Sequence, residues 1–254
     1  MNQAAGQAPA AAVDFSGRLA LVTGGSRGIG RAVALALAAA GADVAVNCVS
    51  RIAEAEAVAA QIRATGRRAV ALRADVSDSG AVAQLAARVR EALGPAGILV
   101  NNAGIMLRRS LDELTEADFD RTIAVNLKSA FLCSQAVLPA MRAQRWGRIV
   151  NISSGAARGA GMVGLHYNAA KAGMEGLTRG YAARLAGEGI TVNAVAPSLV
   201  ASEDVAARAA DLAPRIPVGR IGRCEEVAQA VLMVAGNAYM TGQTVQVNGG
   251  LHFT

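Results

Sequence analysis

Short apolar runs alternate with alanine-rich stretches of helical length along most of this 254-residue chain, and that alternation restricts the fold more than any other feature. Residues 18–23, 43–48, 68–73, 98–101, 148–152, 190–195 and 244–247 read as strands. Between them, 28–40, 53–65, 79–93, one or two segments within 115–142, 167–187 and 225–234 read as helices, with Pro139 marking a last turn. Strands that are apolar on both faces belong in a parallel sheet covered on each side. Right-handed crossovers then predict an α/β fold, a three-layer, doubly wound parallel sheet of seven strands of the Rossmann type. No break in composition or internal repeat divides residues 15–254, so a single domain is expected. Residues 1–14 read as a disordered arm and 198–217, with Pro214 and Pro217, as a substrate lid.

The run Thr23-Gly24-Gly25-Ser26-Arg27-Gly28-Ile29-Gly30 sits between the first strand and the first helix. There Gly24 permits a tight turn, Gly28 lets backbone approach a pyrophosphate, and Gly30 allows close packing of helix on sheet. Free N–H groups at the helix start suit phosphates. An acid at the end of the second strand would hold a ribose 2′-hydroxyl and repel a 2′-phosphate. Asn47 and Cys48 stand there instead, with Arg27 and Arg51 nearby as candidates for a 2′-phosphate. NADP(H) is therefore the expected cofactor.

Tyr167 and Lys171 are four residues apart in a helical segment, so phenol and ammonium share one face. A positive charge beside a phenol favours the phenolate and makes it an acid–base group near neutral pH. By itself the Tyr-x-x-x-Lys match has low specificity; its company gives it weight.

That company is Ala74-Asp75-Val76, Asn101-Asn102-Ala103-Gly104, Asn126, Ile152-Ser153-Ser154 and Asn193-Ala194-Val195-Ala196-Pro197, with Ser154 thirteen residues before Tyr167. From about Gly17 to the C-terminus the sequence resembles the short-chain dehydrogenase/reductase family, nearest to its 3-oxoacyl-(acyl-carrier-protein) reductases. The resemblance implies a hydride-transfer enzyme with a catalytic tetrad of Asn126, Ser154, Tyr167 and Lys171. It implies that Tyr167 exchanges a proton with the substrate oxygen, that Ser154 holds that oxygen, and that Lys171 lowers the phenol pKa and holds the nicotinamide ribose. Asn126 would keep a water linking Lys171 to solvent. Ser153 competes with Ser154 and reads as a strand-end support. The same resemblance places Asp75 and Val76 at the adenine, Asn102, Ala103 and Gly104 against the cofactor, and Pro197, Ser198 and Val200 beside the nicotinamide. Gly97, Ser198 and Asn248 depart from the family, which commonly has Asp, Gly and Asp at those positions.

Composition narrows the partners. Hydrophobic residues make up 53% and aromatic residues 3%, so there is no aromatic array for stacking nucleic-acid bases. The net charge of +6 is scattered and suits anionic ligands rather than a DNA surface. Cys48, Cys133 and Cys224 show no metal spacing with each other or with His166 and His252, and read as reduced thiols of a cytoplasmic protein. No uninterrupted apolar run spans a bilayer. The substrate expected is an acyl thioester, with acyl carrier protein as a candidate partner docked on Arg142, Arg145 and Arg148 against the opposing charge of Glu188. The alternative is a broad ketone or alcohol substrate in a pocket lined by Met106, Met162, Val163, Leu165 and Leu199. A non-catalytic dinucleotide sensor is the reading from a different class. The family resemblance also implies a homotetramer.

Overall fold

Alternate residues of each strand point into opposite layers, and this is what builds the molecule. Leu19 and Leu21 of β1 (Leu19–Val22) pack on one side, and Ala20 and Val22 on the other. The computed structural model describes residues 13–159, 161–201, 205, 207 and 209–253. Most of the expected N-terminal arm, and residues 202–204, 206 and 208 of the expected lid, lie outside the described residues.

The seven strands are β1, β2 (Asp43–Cys48), β3 (Ala69–Arg73), β4 (Ile98–Asn101), β5 (Gly147–Ile152), β6 (Ile190–Pro197) and β7 (Thr244–Val247). They are all parallel, in the order β3-β2-β1-β4-β5-β6-β7. The order reverses between β1 and β4, and in such sheets ligands bind at the carboxyl ends of the strands beside that reversal.

One layer holds α1 (Gly28–Ala39), α2 (Ile52–Ala64) and the last helix, Cys224–Gly236. Its apolar residues repeat at helical spacing, as in Val33, Ala34 and Leu37 of α1. The other layer holds α3 (Ser79–Leu93), α5 (Ser129–Gln144) and α6 (Leu165–Leu185). Asp78 caps α3 by accepting from the Ala81 N–H at 2.6 Å. Pro139 lies inside α5, which runs on to Gln144, so the proline does not mark its last turn.

Helix α4 (Glu116–Ile123) continues into α5 through one π-turn, Ala124–Lys128. The resulting 29-residue helix is long and apolar enough to cross a membrane by length and composition alone, although charged and polar residues interrupt its apolar run. Within this fold Cys133, Val137 and Met141 of that helix pack into the second core layer.

Candidate active site

The glycine-rich loop and the end of β4 form one hydrogen-bonded unit. Asn102 Nδ2 donates to the carbonyls of Thr23 and Gly24 at 2.9 and 3.0 Å. The N–H groups of Asn102 and Ala103 both donate to Thr23 Oγ1 at 3.0 Å. Gly24 has φ +62° and Gly28 φ +54°, in the left-handed region that glycine enters without strain. A Cβ on Gly30 would stand 2.2 Å from the Gly24 oxygen. Ser26 is buried, Ile29 half-buried and Arg27 exposed. Arg27 occupies the cap position of α1 without capping it, and the first turn contains no acid. The helix start therefore keeps its donors and partial positive charge for an anion, which fits the diphosphate of a dinucleotide.

The end of β2 is occupied differently from a surface contact. Asn47 is buried; its Nδ2 donates to the Ala74 and Leu72 carbonyls at 3.1 and 3.3 Å, and its Oδ1 accepts from Gly24 N at 3.5 Å. It splices β2, β3 and the loop together. Cys48 is buried too, and burial pushes its thiol pKa up. Arg51 pairs with Glu54 at 2.8 Å. Sequence reasoning missed Arg73, the last residue of β3, which stands in register with Cys48 and donates to the Val49 carbonyl at 3.0 Å. Its signal was the parallel pairing of two strand ends. The Asp75 carboxylate accepts from Ser77 Oγ and N at 2.7 and 2.9 Å, which holds its pKa below the usual range; Val76 is buried.

Asn126 lies fully buried in the π-turn, a helix irregularity often found at functional sites. Its amide exchanges two 3.0 Å bonds with the backbone of Ile105. A Cβ on Gly104 would come within 2.6 Å of its Oδ1. Asn126 thus pins the loop after β4.

Ser154 follows β5 and caps the short turn Gly155–Ala157, accepting from Ala156 N at 3.2 Å. Its hydroxyl acts on the Tyr167 phenol in the sense that lowers the phenol pKa. Lys171 Nζ donates to the Ile152 carbonyl at 2.7 Å and stands 5.7 Å from the Tyr167 ring centre. Both side chains are buried. Burial raises the Tyr167 pKa, with Ser154 opposing, and lowers that of Lys171 to about 8. The lowered phenol pKa expected from the sequence is not found in this structure, because desolvation outweighs the favourable contacts. Ser153 Oγ donates to the Lys171 carbonyl at 3.3 Å, tying α6 to the sheet.

Pro197 ends β6, and Ser198 N donates to Val247 O at 3.1 Å. The Ser198 hydroxyl lies 2.2 Å from where a Cβ on Gly155 would be, so glycine at 155 accommodates the serine at 198. Val200 is buried and bridges to Gly222. A cavity of about 490 Å³ beside the start of α6 is lined by Arg109, Met162, Val163, Leu165 and Asn168 among others. Met106 is exposed and Leu199 half-buried. His166, unassigned from sequence, bonds through Nε2 to the Leu107 carbonyl at 2.8 Å and holds that loop to α6.

The expected basic docking patch is corrected. Arg148 is buried, bonded to the carbonyls of Ala235 and Gly147 at 2.9 and 2.7 Å, and Arg142 is paired with Glu188 at 2.7 Å. Arg142 lies in the last turn of α5, Arg145 follows its end, and Arg148 is near the start of β5, at the end of that strand opposite Ser154. Burial, and the need to satisfy backbone carbonyls there, overrides the reading by charge alone.

The sequence model of the short chain dehydrogenase family matches residues 18–213. A 3-oxoacyl-(acyl-carrier-protein) reductase of Staphylococcus aureus is 42% identical over 92% of this chain and 97% of its own length. Nodulation protein G of Azospirillum brasilense is 41% identical, covering 94% of this chain and all of that protein. Among solved structures, a putative short-chain alcohol dehydrogenase from Sinorhizobium meliloti superimposes with a TM-score of 0.88 at 37% identity, covering 94% of this chain and 98% of that one. A blue fluorescent protein from a metagenomic library, in complex with NADPH, also gives 0.88, at 38% identity over 94% of this chain and 100% of that one.

Proposed function

The chain belongs to the short-chain dehydrogenase family, an oxidoreductase family, and from that premise we propose that it uses NADPH to reduce the ketone of a 3-oxoacyl thioester to a secondary alcohol. The observation that carries the reading is the buried pair Tyr167 and Lys171 one helical turn apart on α6, with 5.7 Å from the ammonium to the ring centre and Ser154 acting on the phenol. When bound, the nicotinamide supplies the hydride. Tyr167 gives its phenolic proton to the ketone oxygen, and Ser154 donates a hydrogen bond where negative charge gathers. Lys171 stabilises the phenolate left behind.

The diphosphate is assigned to the start of α1 and the loop Gly24–Gly30. Support for NADPH comes from the missing acid at the end of β2, from Arg27 and Arg73, and from the NADPH-bound structural relative. Support for the thioester comes from the activity named for the Staphylococcus aureus relative. The cavity lined by Met162, Val163 and Leu165 is assigned to the acyl group, with residues 198–217 as a lid. A cytoplasmic homotetramer, with or without an acyl carrier protein as partner, completes the proposal.

Tyr167→Phe tests it. Turnover should fall by a factor of roughly 10² to 10⁴ while NADPH still binds. Undiminished turnover in the variant would remove Tyr167 from the chemistry.

A further inference from the structure

The turn carrying Ser154 and the helix carrying Tyr167 and Lys171 are fastened by two contacts. Arg158 Nε donates to Glu175 Oε2 at 3.0 Å, and Asn168 Nδ2 donates to the Gly159 carbonyl at 2.7 Å. Arg158 and Gly159 are neighbours in the turn. Asn168, Lys171 and Glu175 follow at helical spacing along one face of α6. Glu175 is 5% exposed, and its second oxygen, Oε1, has no hydrogen-bond partner among the described residues. A buried carboxylate held by one guanidinium is a costly way to pack a helix; an apolar pair of similar volume often does as well or better. The opposed charges beside the tetrad therefore call for a reason other than packing.

Resting on the reading of Tyr167 as the proton donor, we propose that Arg158 and Glu175 are positioning residues for the reaction. They clamp the Ser154 turn onto α6, and their paired charges keep the field at the Tyr167 phenol balanced. On this proposal Arg158 acts toward the phenolate and Glu175 against it. Other charged or titratable groups of the elements nearby have contacts outside the pair. Lys171 is bonded to Ile152, His166 to Leu107, and Arg109 to Asp118, while His252 packs against Gly155 and Gly159.

The test is the pH dependence of kcat/KM for alcohol oxidation in the wild type, Glu175→Gln, Arg158→Gln and the double variant Arg158→Leu/Glu175→Leu. Glu175→Gln should move the acid limb to lower pH and Arg158→Gln to higher pH, each by roughly half a unit or more. In both, kcat should fall roughly tenfold or more, because Ser154 is no longer held in line, while the KM for NADP stays unchanged. The double variant should return the limb to its wild-type position yet keep the low kcat, and it preserves the test if a single variant fails to fold. Shifts in the same direction, no shift, or a double variant with wild-type kcat would overturn the proposal. A wild type that turns over no ketone or alcohol would instead overturn the oxidoreductase reading beneath it.

Discussion

The ammonium of Lys171 donates to the Ile152 carbonyl at 2.7 Å from inside the fold, where it is 4% exposed. Burial lowers its pKa from 10.5 to about 8, so between those values the unfolded chain binds more protons than the folded one. Stability from this group is therefore gained as pH rises through that window, by about 3 kcal/mol in all. Above pH 9 Cys133, whose thiol is pushed up to about 12, acts in the opposite sense. Comparison with Lys171→Met cancels that contribution. Urea midpoints at pH 7.5 and pH 10 should show the wild type gaining on the variant; parallel behaviour would refute the buried cation.

Gly30 has no room for a methyl group, since its Cβ would lie 2.2 Å from Gly24 O and 2.5 Å from Asn102 Nδ2. Gly30→Ala is expected to lose roughly 1–3 kcal/mol of stability by overpacking. It should also lose NADPH binding, read from the fluorescence of the bound cofactor, because the same atoms shape the phosphate loop. A variant that binds NADPH normally would dissociate this packing from the cofactor site.

In the proposed reading, cofactor choice rests on Arg27 at the start of α1 and Arg73 at the end of β3. Arg27→Gln and Arg73→Gln should each lower kcat/KM for NADPH roughly 10- to 100-fold, the range of one charge-assisted hydrogen bond, and leave NADH unaffected. Arg51→Gln should do less, because Glu54 already engages that side chain at 2.8 Å. Equal losses with both cofactors would place these arginines outside the 2′-phosphate site.

Periodicity made the strands and helices legible, since period and burial coincide along β1 and α1. The proposed tetrad came from the family resemblance; helical spacing by itself supplied only the pairing of Tyr167 with Lys171 on α6. The π-turn at Asn126 was not, because one extra residue inside a continuous helix leaves the apolar pattern almost unchanged. Long-range side-chain work was also hidden. Asn47 stands where an acid would hold a ribose, and its amide serves the carbonyls of Leu72 and Ala74. The departure from Asp at Gly97 gave no hint of its neighbour: a Cβ there would come within 2.9 Å of the Trp146 ring, which also carries the Arg18 guanidinium at 3.9 Å. Arg148 looked like a docking residue until its carbonyl partners were seen.

Initial rates at 340 nm test the proposed NADPH-dependent reduction of a 3-oxoacyl thioester. The assay pairs NADPH and NADH with an acetoacetyl thioester and with a simple aryl ketone. Turnover of the thioester with NADPH is expected well above that of the ketone and well above that with NADH. Faster reduction of the ketone would contradict the assigned substrate class, and preference for NADH would contradict the roles given to Arg27 and Arg73.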